Sequence, residues 1–219
     1  MRPSAISIVL AAALGACSLS MTACNIVGPA ALLIEGPPTT PAMHDLAKEA
    51  PTVVFIDDRA SRLGRRSLRL VMAEQATRDL IDRASMKAMV SPRAALDAAT
   101  GESPSDPTDL STLTKNAQAQ VMIYATIDRF EISTDRVSFT PMCVMRVKVI
   151  DVATEKPRNW PEEFKGHTLV VPFPQSPRAL PRSAAELAAL EESVAQQAGK
   201  ALARLFFKFE TREELGPRN

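Results

Sequence analysis

The first long apolar segment after residue 50 is the continuous run VVFI at residues 53–56, which follows Thr52. An unbroken series of mostly β-branched and aromatic residues is typical of a strand that is buried on both faces. We therefore predict a central strand of a sheet over residues 52–56. Asp57 and Asp58 follow directly and mark its carboxyl end.

Residues 67–82 carry apolar side chains at helical spacing. The apolar positions recur every three or four residues among charged ones, and they are Leu68, Val71, Met72, Ala76 and Leu80. This spacing predicts a helix from Ser67 to Asp82 with one buried face, and hence a first βα unit.

Two shorter helices are predicted from their capping residues. Ser91 followed by Pro92 is an N-cap with a first-turn proline, which predicts a helix through Ala99. Asp109 likewise caps a brief helix through Ala117. Residues 87–90, KAMV, precede the first of these helices and predict a short second strand.

Strict alternation of apolar and polar residues marks two neighbouring strands, over residues 120–130 and 136–150. Residues 134–136, TDR, predict a tight turn between them, so the two strands should form an antiparallel hairpin with one solvent-facing side. The predicted buried face consists of Val121, Ile123, Ala125 and Ile127 in the first strand and Val137, Phe139, Cys143, Met145, Val147 and Val149 in the second.

The C-terminal part predicts one more strand, over residues 167–173, and a long helix that covers the sheet. Ser183 and Glu186 have the spacing of a capping box, and an apolar stripe follows from Leu187 to Phe209. The predicted fold class is α/β (α+β): a mixed sheet of about five strands that contains the antiparallel hairpin, flanked by helices including the long C-terminal one.

The N-terminus has the pattern of an export signal. Arg2 precedes an apolar run from Ala5 to Ala16 that is too short to cross a bilayer about 30 Å thick as a helix, but suits the apolar region of a signal peptide. Cys17 and Cys24 each follow a small residue, as in the lipobox where lipoprotein signal peptidase cuts before an acylated cysteine.

We predict Cys24 as the lipidated residue, because cleavage there leaves an apolar stretch of more usual length. Cys17 is the alternative, since it has a leucine, Leu14, three positions before it. Cleavage by an ordinary signal peptidase, after Ala16 or Ala23, is the competing interpretation, and it would leave a free cysteine behind.

The predicted organisation has four parts. Residues 1–23 form a lipoprotein-type signal peptide, and residues 24–51, rich in proline and glycine, form a tether. Residues 52–210 form a single α/β domain, and residues 211–219 form a polar tail. The chain is therefore expected to lie in the cell envelope, held to a membrane by lipid and facing the periplasm.

Composition and charge exclude several classes of protein. Hydrophobic residues make up 46% of the chain and charged residues 23%, which is typical of a globular domain. The 26 basic and 25 acidic residues almost cancel, so no electrostatic attraction to nucleic acid is expected. Envelope proteins are the expected partners, and the sequence does not predict the oligomeric state.

The sequence predicts no catalytic residue, no metal and no cofactor. His44 and His167 have no cysteine, histidine or carboxylate neighbour at the spacing of metal ligands, so a surface or capping role is expected for both. No nucleotide-binding, serine-hydrolase or zinc-protease motif is present. Cys143 lies alone in an apolar strand pattern and is predicted to be a small core residue.

Asp57 and Asp58 form the one suggestive acidic pair. They follow a strand at the edge where open α/β sheets place their ligands, so a partner or metal site is one hypothesis for them. The structural alternative is that they cap the following turn and pair with Arg59, Arg62 or Arg65. We favour the structural role.

Three stretches resemble a known family: 53–58 (VVFIDD), 125–130 (ATIDRF) and 147–154 (VKVIDVAT). They are similar to segments of the envelope lipoproteins related to the curli secretion channel and to the TolB amino-terminal domain. Where the family has a glycine after the threonine of the last stretch, this chain has Glu155. The resemblance implies a lipid-anchored scaffold, accessory to envelope transport or assembly, and supplies no catalytic residue.

The function that we predict is therefore a non-catalytic binding or scaffold module of the envelope. A subunit of an oligomeric secretion pore is the alternative, suggested by the alternating strand over 136–150 and by the family resemblance. A divalent-metal-dependent enzyme that uses Asp57 and Asp58 is a third hypothesis.

Overall fold

A computed structural model describes residues 38–100, 108–153, 158–173 and 179–211. Its strands are β1 (Thr39–Thr40), β2 (Thr52–Asp57), β3 (Val121–Glu131), β4 (Met142–Asp151), β5 (Arg158–Trp160), β6 (His167–Val170) and β7 (Phe209–Glu210). Its helices are α1 (Leu68–Ala84), α2 (Pro92–Ala98), α3 (Leu110–Asn116) and α4 (Ala184–Arg204).

The main sheet is mixed and has five strands. Strand β2 pairs with β3 in parallel, and β3 pairs with β4 in antiparallel orientation. Strands β5 and β6 both pair with β4, at different positions along its length. The predicted fold class and the predicted antiparallel hairpin are therefore confirmed.

Strand β2 is buried on both faces, as predicted, because helices lie on either side of it. Val54 and Ile56 belong to the main core with α1 and α4, whereas Val53 and Phe55 pack into a second core formed with α2 and α3. The expectation that β2 is a central strand is wrong, since it ends the strand order. Its far side carries only an isolated bridge to Met89 within the described residues, in place of the predicted short strand.

The predicted caps form. The Ser91 side chain accepts a hydrogen bond from the Arg93 N–H, and the Asp109 carboxylate accepts from the N–H groups of Ser111 and Thr112. Each of these bonds satisfies a backbone donor that the first turn of a helix leaves without an intrahelical partner. Helices α2 and α3 consequently begin where the sequence predicts.

The connection between β3 and β4 is longer than the predicted tight turn and spans residues 132–141. The Asp135 carboxylate accepts hydrogen bonds from the N–H groups of Ser138 and Val137 and from the Ser133 hydroxyl. These donors stabilise the charged form and hold the pKa of Asp135 well below its usual value. Val137 is 70% exposed, so its predicted place on the buried face is wrong.

Helix α4 packs mainly against α1 and contacts the sheet chiefly at β4, so the prediction that it covers the sheet holds only in part. Its N-cap forms at Ser183: the Glu186 N–H donates to the Ser183 hydroxyl, and that hydroxyl, in place of the backbone N–H of a full capping box, donates to the Glu186 carboxylate. The two helices approach closely at Gly199, where an added Cβ would lie 2.4 Å from the Met72 carbonyl oxygen.

Residues 38–51, which the sequence assigns to the tether, pack against the domain. Strand β1 pairs with β7, and the N–H groups of Met43 and His44 both donate to the Leu205 carbonyl at the end of α4. At the other terminus, the Thr211 N–H donates to the Pro38 carbonyl. The rest of the predicted tail lies outside the described residues, as do the predicted signal peptide and residues 24–37.

Strand β6 covers residues 167–170 of the strand predicted over 167–173. The N–H of Val171 still donates to the Cys143 carbonyl, so the pairing with β4 continues for one more residue. Gly166 precedes β6 with φ +76°, and a Cβ there would lie 2.9 Å from the Val147 carbonyl oxygen. The chain therefore requires a glycine to enter this strand.

Candidate binding site

Asp57 closes the carboxyl end of β2 as a buried carboxylate that is 4% exposed. Its Oδ2 atom accepts a hydrogen bond from the Tyr124 hydroxyl at 2.6 Å and lies 2.9 Å from the Arg59 Nε. Tyr124 projects from the neighbouring strand β3, so this carboxylate links two strands and the loop that follows β2. A buried carboxylate with a hydroxyl donor and a guanidinium as partners is typical of a structural role.

Asp58, the next residue, also has a structural role. Its two carboxylate oxygens accept from the N–H groups of Arg62 and Leu63, at 2.7 and 3.0 Å. Arg65 does not join this acidic pair, because its guanidinium bonds Glu191 and the Ala188 carbonyl of α4. Across the described ranges, no group of three or more His, Cys, Asp or Glu side chains is arranged to hold a metal ion.

Cys143 lies in the main core on β4 as a free, fully buried thiol. Burial disfavours the thiolate and raises the pKa of Cys143 to about 12. A thiol with this pKa is a poor nucleophile, so the predicted role of Cys143 as a small core residue is confirmed.

The structure brings together three side chains that no sequence pattern associates: His44, Trp160 and His167. The His44 ring stacks on the Trp160 ring with centroids 5.1 Å apart, and the His167 ring lies 5.6 Å from the same indole. Phe206 contacts both His44 and Trp160 edge-on. The His44 pKa is lowered because partial burial disfavours the imidazolium, while nearby Asp45 acts in the opposite direction.

The sequence does not predict this cluster, because its members are far apart along the chain. Its members come from the segment before β2, from β5, from β6 and from the end of α4, and each is isolated in its own stretch of sequence. Periodicity reports local faces and not the pairing of distant loops. A single sequence therefore predicts the elements but not this meeting point.

A groove of about 390 Å³ adjoins the cluster at His167 and is lined by residues of β1, β6, β7 and the end of α4. Its walls are mainly apolar, and Arg204 is the only lysine, arginine or acidic residue among the described residues that line it. The lining residues are Thr40, Pro41, Met43, His167, Thr168, Leu169, Val170, Pro172, Ala201, Arg204, Leu205 and Phe209.

Apolar side chains at the mouth of the groove are open to solvent. Val170 on β6 is 64% exposed, and Met43, which also lines the groove, is more than half exposed. Exposed apolar side chains that line a concave surface indicate a binding site more strongly than single exposed ones scattered elsewhere. This groove is the candidate binding site of the domain.

The predicted lipidation residues, Cys24 and its alternative Cys17, lie outside the described residues. Within the described part of the chain, no helix combines the length and the apolar character needed to cross a bilayer.

Comparisons with known proteins identify no family for this chain. No family model matches it, and no curated protein matches it. Among solved structures, a PelC dodecamer from Paraburkholderia phytofirmans is 14% identical, covers 76% of this chain and 96% of its own, and superposes with a TM-score of 0.36.

The hypothetical protein CT253 from Chlamydia trachomatis is 15% identical, with 73% of this chain and 98% of that chain covered and a TM-score of 0.38. A second PelC dodecamer structure gives 14% identity, 77% and 94% coverage and a TM-score of 0.35. These low scores and identities carry no argument about function.

Proposed function

We propose that this protein is a lipid-anchored component of the bacterial cell envelope whose single α/β domain is a non-catalytic binding module, accessory to transport or assembly in the envelope. The lipid is carried by Cys24, with Cys17 as the alternative, and the domain faces the periplasm. It uses no cofactor and binds envelope proteins.

The observation that carries the proposal of binding is the apolar groove beside β6. Its volume of about 390 Å³ is within the range of about 300–1,000 Å³ that is usual for binding pockets. The acidic pair and the buried cysteine have structural roles. The Asp57 and Asp58 carboxylates hold the loop after β2, and the Cys143 thiol lies in the core. The proposal of a membrane anchor is supported by the N-terminal sequence alone.

The anchor is tested by intact mass and cell fractionation of the native protein beside the Cys24→Ala and Cys17→Ala variants. We expect Cys24→Ala alone to abolish the lipid mass and membrane association, because acylation requires the cysteine thiol. If neither substitution changes mass or location, the protein is not lipid-anchored.

The binding function is tested by affinity capture of the intact lipoprotein from detergent-solubilised envelopes after mild cross-linking. The matched control is an unrelated lipoprotein with the same anchor, which removes proteins that associate only with the lipid. Reproducible recovery of the same envelope proteins above this control is the expected result. Recovery of none would contradict a binding module.

A further inference from the structure

Residues 38–46, which we call the strap, lie on the surface of the domain with little of their own surface buried. Thr40, Ala42, His44 and Leu46 are half-buried, and the residues between them are exposed. No residue of the strap is fully buried, whereas the whole of β2, which begins at residue 52, is. A segment that buries little apolar surface detaches from a folded domain at a low cost in free energy.

The hydrogen bonds of the strap follow one another along the chain. The Pro38 carbonyl accepts from the Thr211 N–H at 2.9 Å, and β1 then pairs with β7. Met43 and His44 share the Leu205 carbonyl, at 2.8 and 3.2 Å. Because β1 and β7 form a sheet of their own, these bonds can open one at a time from Pro38 without breaking any bond of the main sheet.

Two side chains hold the strap to the domain. The His44 ring stacks on Trp160 and meets Phe206 edge-on, with centroids 5.1 and 6.5 Å away, and Leu46 packs partly against the main core. An aromatic contact of this kind changes an equilibrium constant by about tenfold at most. The side chains therefore favour the docked strap without fixing it permanently.

The chain is firmly held directly after the strap. The Lys87 N–H donates to the Lys48 carbonyl at 2.9 Å, and the Ala50 N–H donates to the Ala47 carbonyl at 3.0 Å. Ala50 is only 6% exposed and leads directly into β2. This contrast places the boundary of the detachable segment between Leu46 and Ala47.

We propose that the strap is a releasable spacer, which detaches from the folded domain as a unit and lengthens the chain that leads to the predicted anchor at Cys24. At about 3.3 Å per residue, residues 38–46 add about 30 Å of reach. The proposal rests on the function proposed above, since a spacer requires an anchor. Thr40, Pro41 and Met43 line the groove, so release also removes part of its wall, and a ligand in the groove favours the docked strap.

The first experiment measures amide hydrogen exchange of the purified lipoprotein in detergent, with correction for the intrinsic rates. The Met43 and His44 amides should exchange at least about a hundredfold faster than the amide of Ile123, which lies in β3 between β2 and β4. Low concentrations of urea should accelerate exchange at Ile123 but hardly at the strap, because release exposes little surface. Equal rates with equal urea dependence would show that the strap opens only when the domain unfolds.

The variant Val53→Ala separates release of the strap from unfolding of the domain. Val53 is fully buried in the second core with α2 and α3, which does not include the strap. Its truncation should accelerate exchange at Ile123 at least about tenfold and leave the Met43 and His44 amides within about twofold of wild type. Equal acceleration at all three amides would overturn the proposal.

The variant His44→Ala is the matched test at the strap itself. It removes the stacking on Trp160 and leaves the N–H of residue 44 in place. Exchange of the Met43 amide should become at least about threefold faster, because the docked state loses one aromatic contact. An unchanged rate would show that the strap does not detach where the contacts place it.

The reach is measured by pulling single molecules in optical tweezers. Handles are attached through p-azidophenylalanine at positions 24 and 81 of the full chain with Cys17→Ser, because Ile81 is exposed on α1. We expect a reversible lengthening of up to about 30 Å at forces below those that unfold the domain. Absence of such a step would overturn the proposal.

The control for the pulling experiment is the same chain with Thr40→Cys and Thr211→Cys. The two threonine hydroxyls lie 3.3 Å apart, so cysteines at these positions are close enough for a disulfide. Oxidation should abolish the reversible step, and reduction should restore it. A step that persists in the oxidised chain would arise outside the strap and would contradict the proposal.

The outcomes separate this proposal from the proposed function. If the strap amides follow Ile123 in urea and in Val53→Ala, the releasable strap is wrong, and the anchor and the binding function stand. If neither Cys24→Ala nor Cys17→Ala changes mass or location, the anchor fails, and the role of the strap as a spacer fails with it.

Discussion

Asp57 shows how a residue at a ligand-binding position of an α/β sheet can serve the fold. Its buried carboxylate receives the Tyr124 hydroxyl and the Arg59 guanidinium. Removing a buried acceptor leaves its hydrogen-bond donors without a partner. This lowers the free energy of unfolding by about 1–3 kcal/mol for neutral donors and by more for charged ones. We expect Asp57→Ala to lower the free energy of unfolding by about 2–3 kcal/mol and Tyr124→Phe by about 1 kcal/mol, measured by urea denaturation.

The control for this prediction is the double variant Asp57→Ala/Tyr124→Phe. Because both substitutions disrupt one hydrogen bond, their combined effect should be smaller than the sum of the single effects. A metal site predicts a different result, in which magnesium or calcium raises the thermal stability of wild type but not of Asp57→Ala. That result would contradict a purely structural role for Asp57.

Cys143 is expected to react only when the protein unfolds. Its thiol is fully buried and its pKa is raised to about 12, so almost no thiolate exists near neutral pH. In a variant with Cys17→Ser and Cys24→Ser, a thiol reagent such as dithionitrobenzoate should label Cys143 no faster than the protein unfolds. Labelling should become rapid in denaturing urea. Fast labelling of the native protein would show that β4 opens locally.

At the residue scale, the sequence predicted roles that depend on immediate neighbours. The caps at Ser91, Asp109 and Ser183 are such local features, and each forms as predicted. The stacking of His44 on Trp160 depends on how distant segments meet, and no local pattern encodes it. The groove was not predicted either, because its lining residues also come from distant segments.

At the scale of elements, the contact between α1 and α4 depends on a small residue. Replacing Gly199 by alanine should gain about 1 kcal/mol of helix propensity. However, the new methyl group would lie 2.4 Å from the Met72 carbonyl oxygen and 2.9 Å from the Gln75 Cβ. Neither the Met72 backbone nor the first carbon of the Gln75 side chain can turn away, so overpacking of about 1–3 kcal/mol should exceed the gain.

We therefore expect Gly199→Ala to destabilise the domain, by up to about 2 kcal/mol in urea denaturation, against the trend of helix propensity. The control is Ala189→Gly on the exposed face of the same helix, which should cost about 1 kcal/mol from propensity alone. If Gly199→Ala were more stable than wild type, the close approach of the two helices would be wrong.

The sequence predicted the elements better than their arrangement. Helix α1, the hairpin of β3 and β4 and the start of α4 follow from periodicity and capping, which are local. The hairpin connection was predicted too short, because alternation continues through Val137 although hydrogen bonds to Asp135 hold that residue in an exposed loop. The edge position of β2 could not be predicted either, since burial by α2 and α3 gives an edge strand the apolar composition of a central one.

At the scale of the whole molecule, the two ends of the described domain meet. Strands β1 and β7 pair, and the Leu205 carbonyl accepts the N–H groups of Met43 and His44. This contact places the chain that leads towards the predicted anchor beside the groove, which Pro41 and Met43 help to line. The docking of residues 38–51 therefore determines the shape of the candidate binding site.

This docking should weaken as the solution becomes acidic. The His44 ring is neutral when it stacks on Trp160, and burial lowers its pKa below the usual value of about 6.5. A group whose pKa is lowered by folding contributes its stability fully above the unfolded pKa and loses it as the pH falls through the folded pKa. Acidification from pH 7.5 to 5 should therefore reduce the protection of the Met43 and His44 amides against hydrogen exchange, after correction for the intrinsic rates.

The variant His44→Phe separates titration of the ring from its packing. Phenylalanine can stack on Trp160 but cannot be protonated, so in this variant the protection of the Met43 amide should change little between pH 7.5 and 5. All other titratable groups remain in both proteins, so their contribution cancels in the comparison. If wild type and His44→Phe lose protection equally on acidification, a group other than His44 weakens the docking, and the groove responds to pH by a different route.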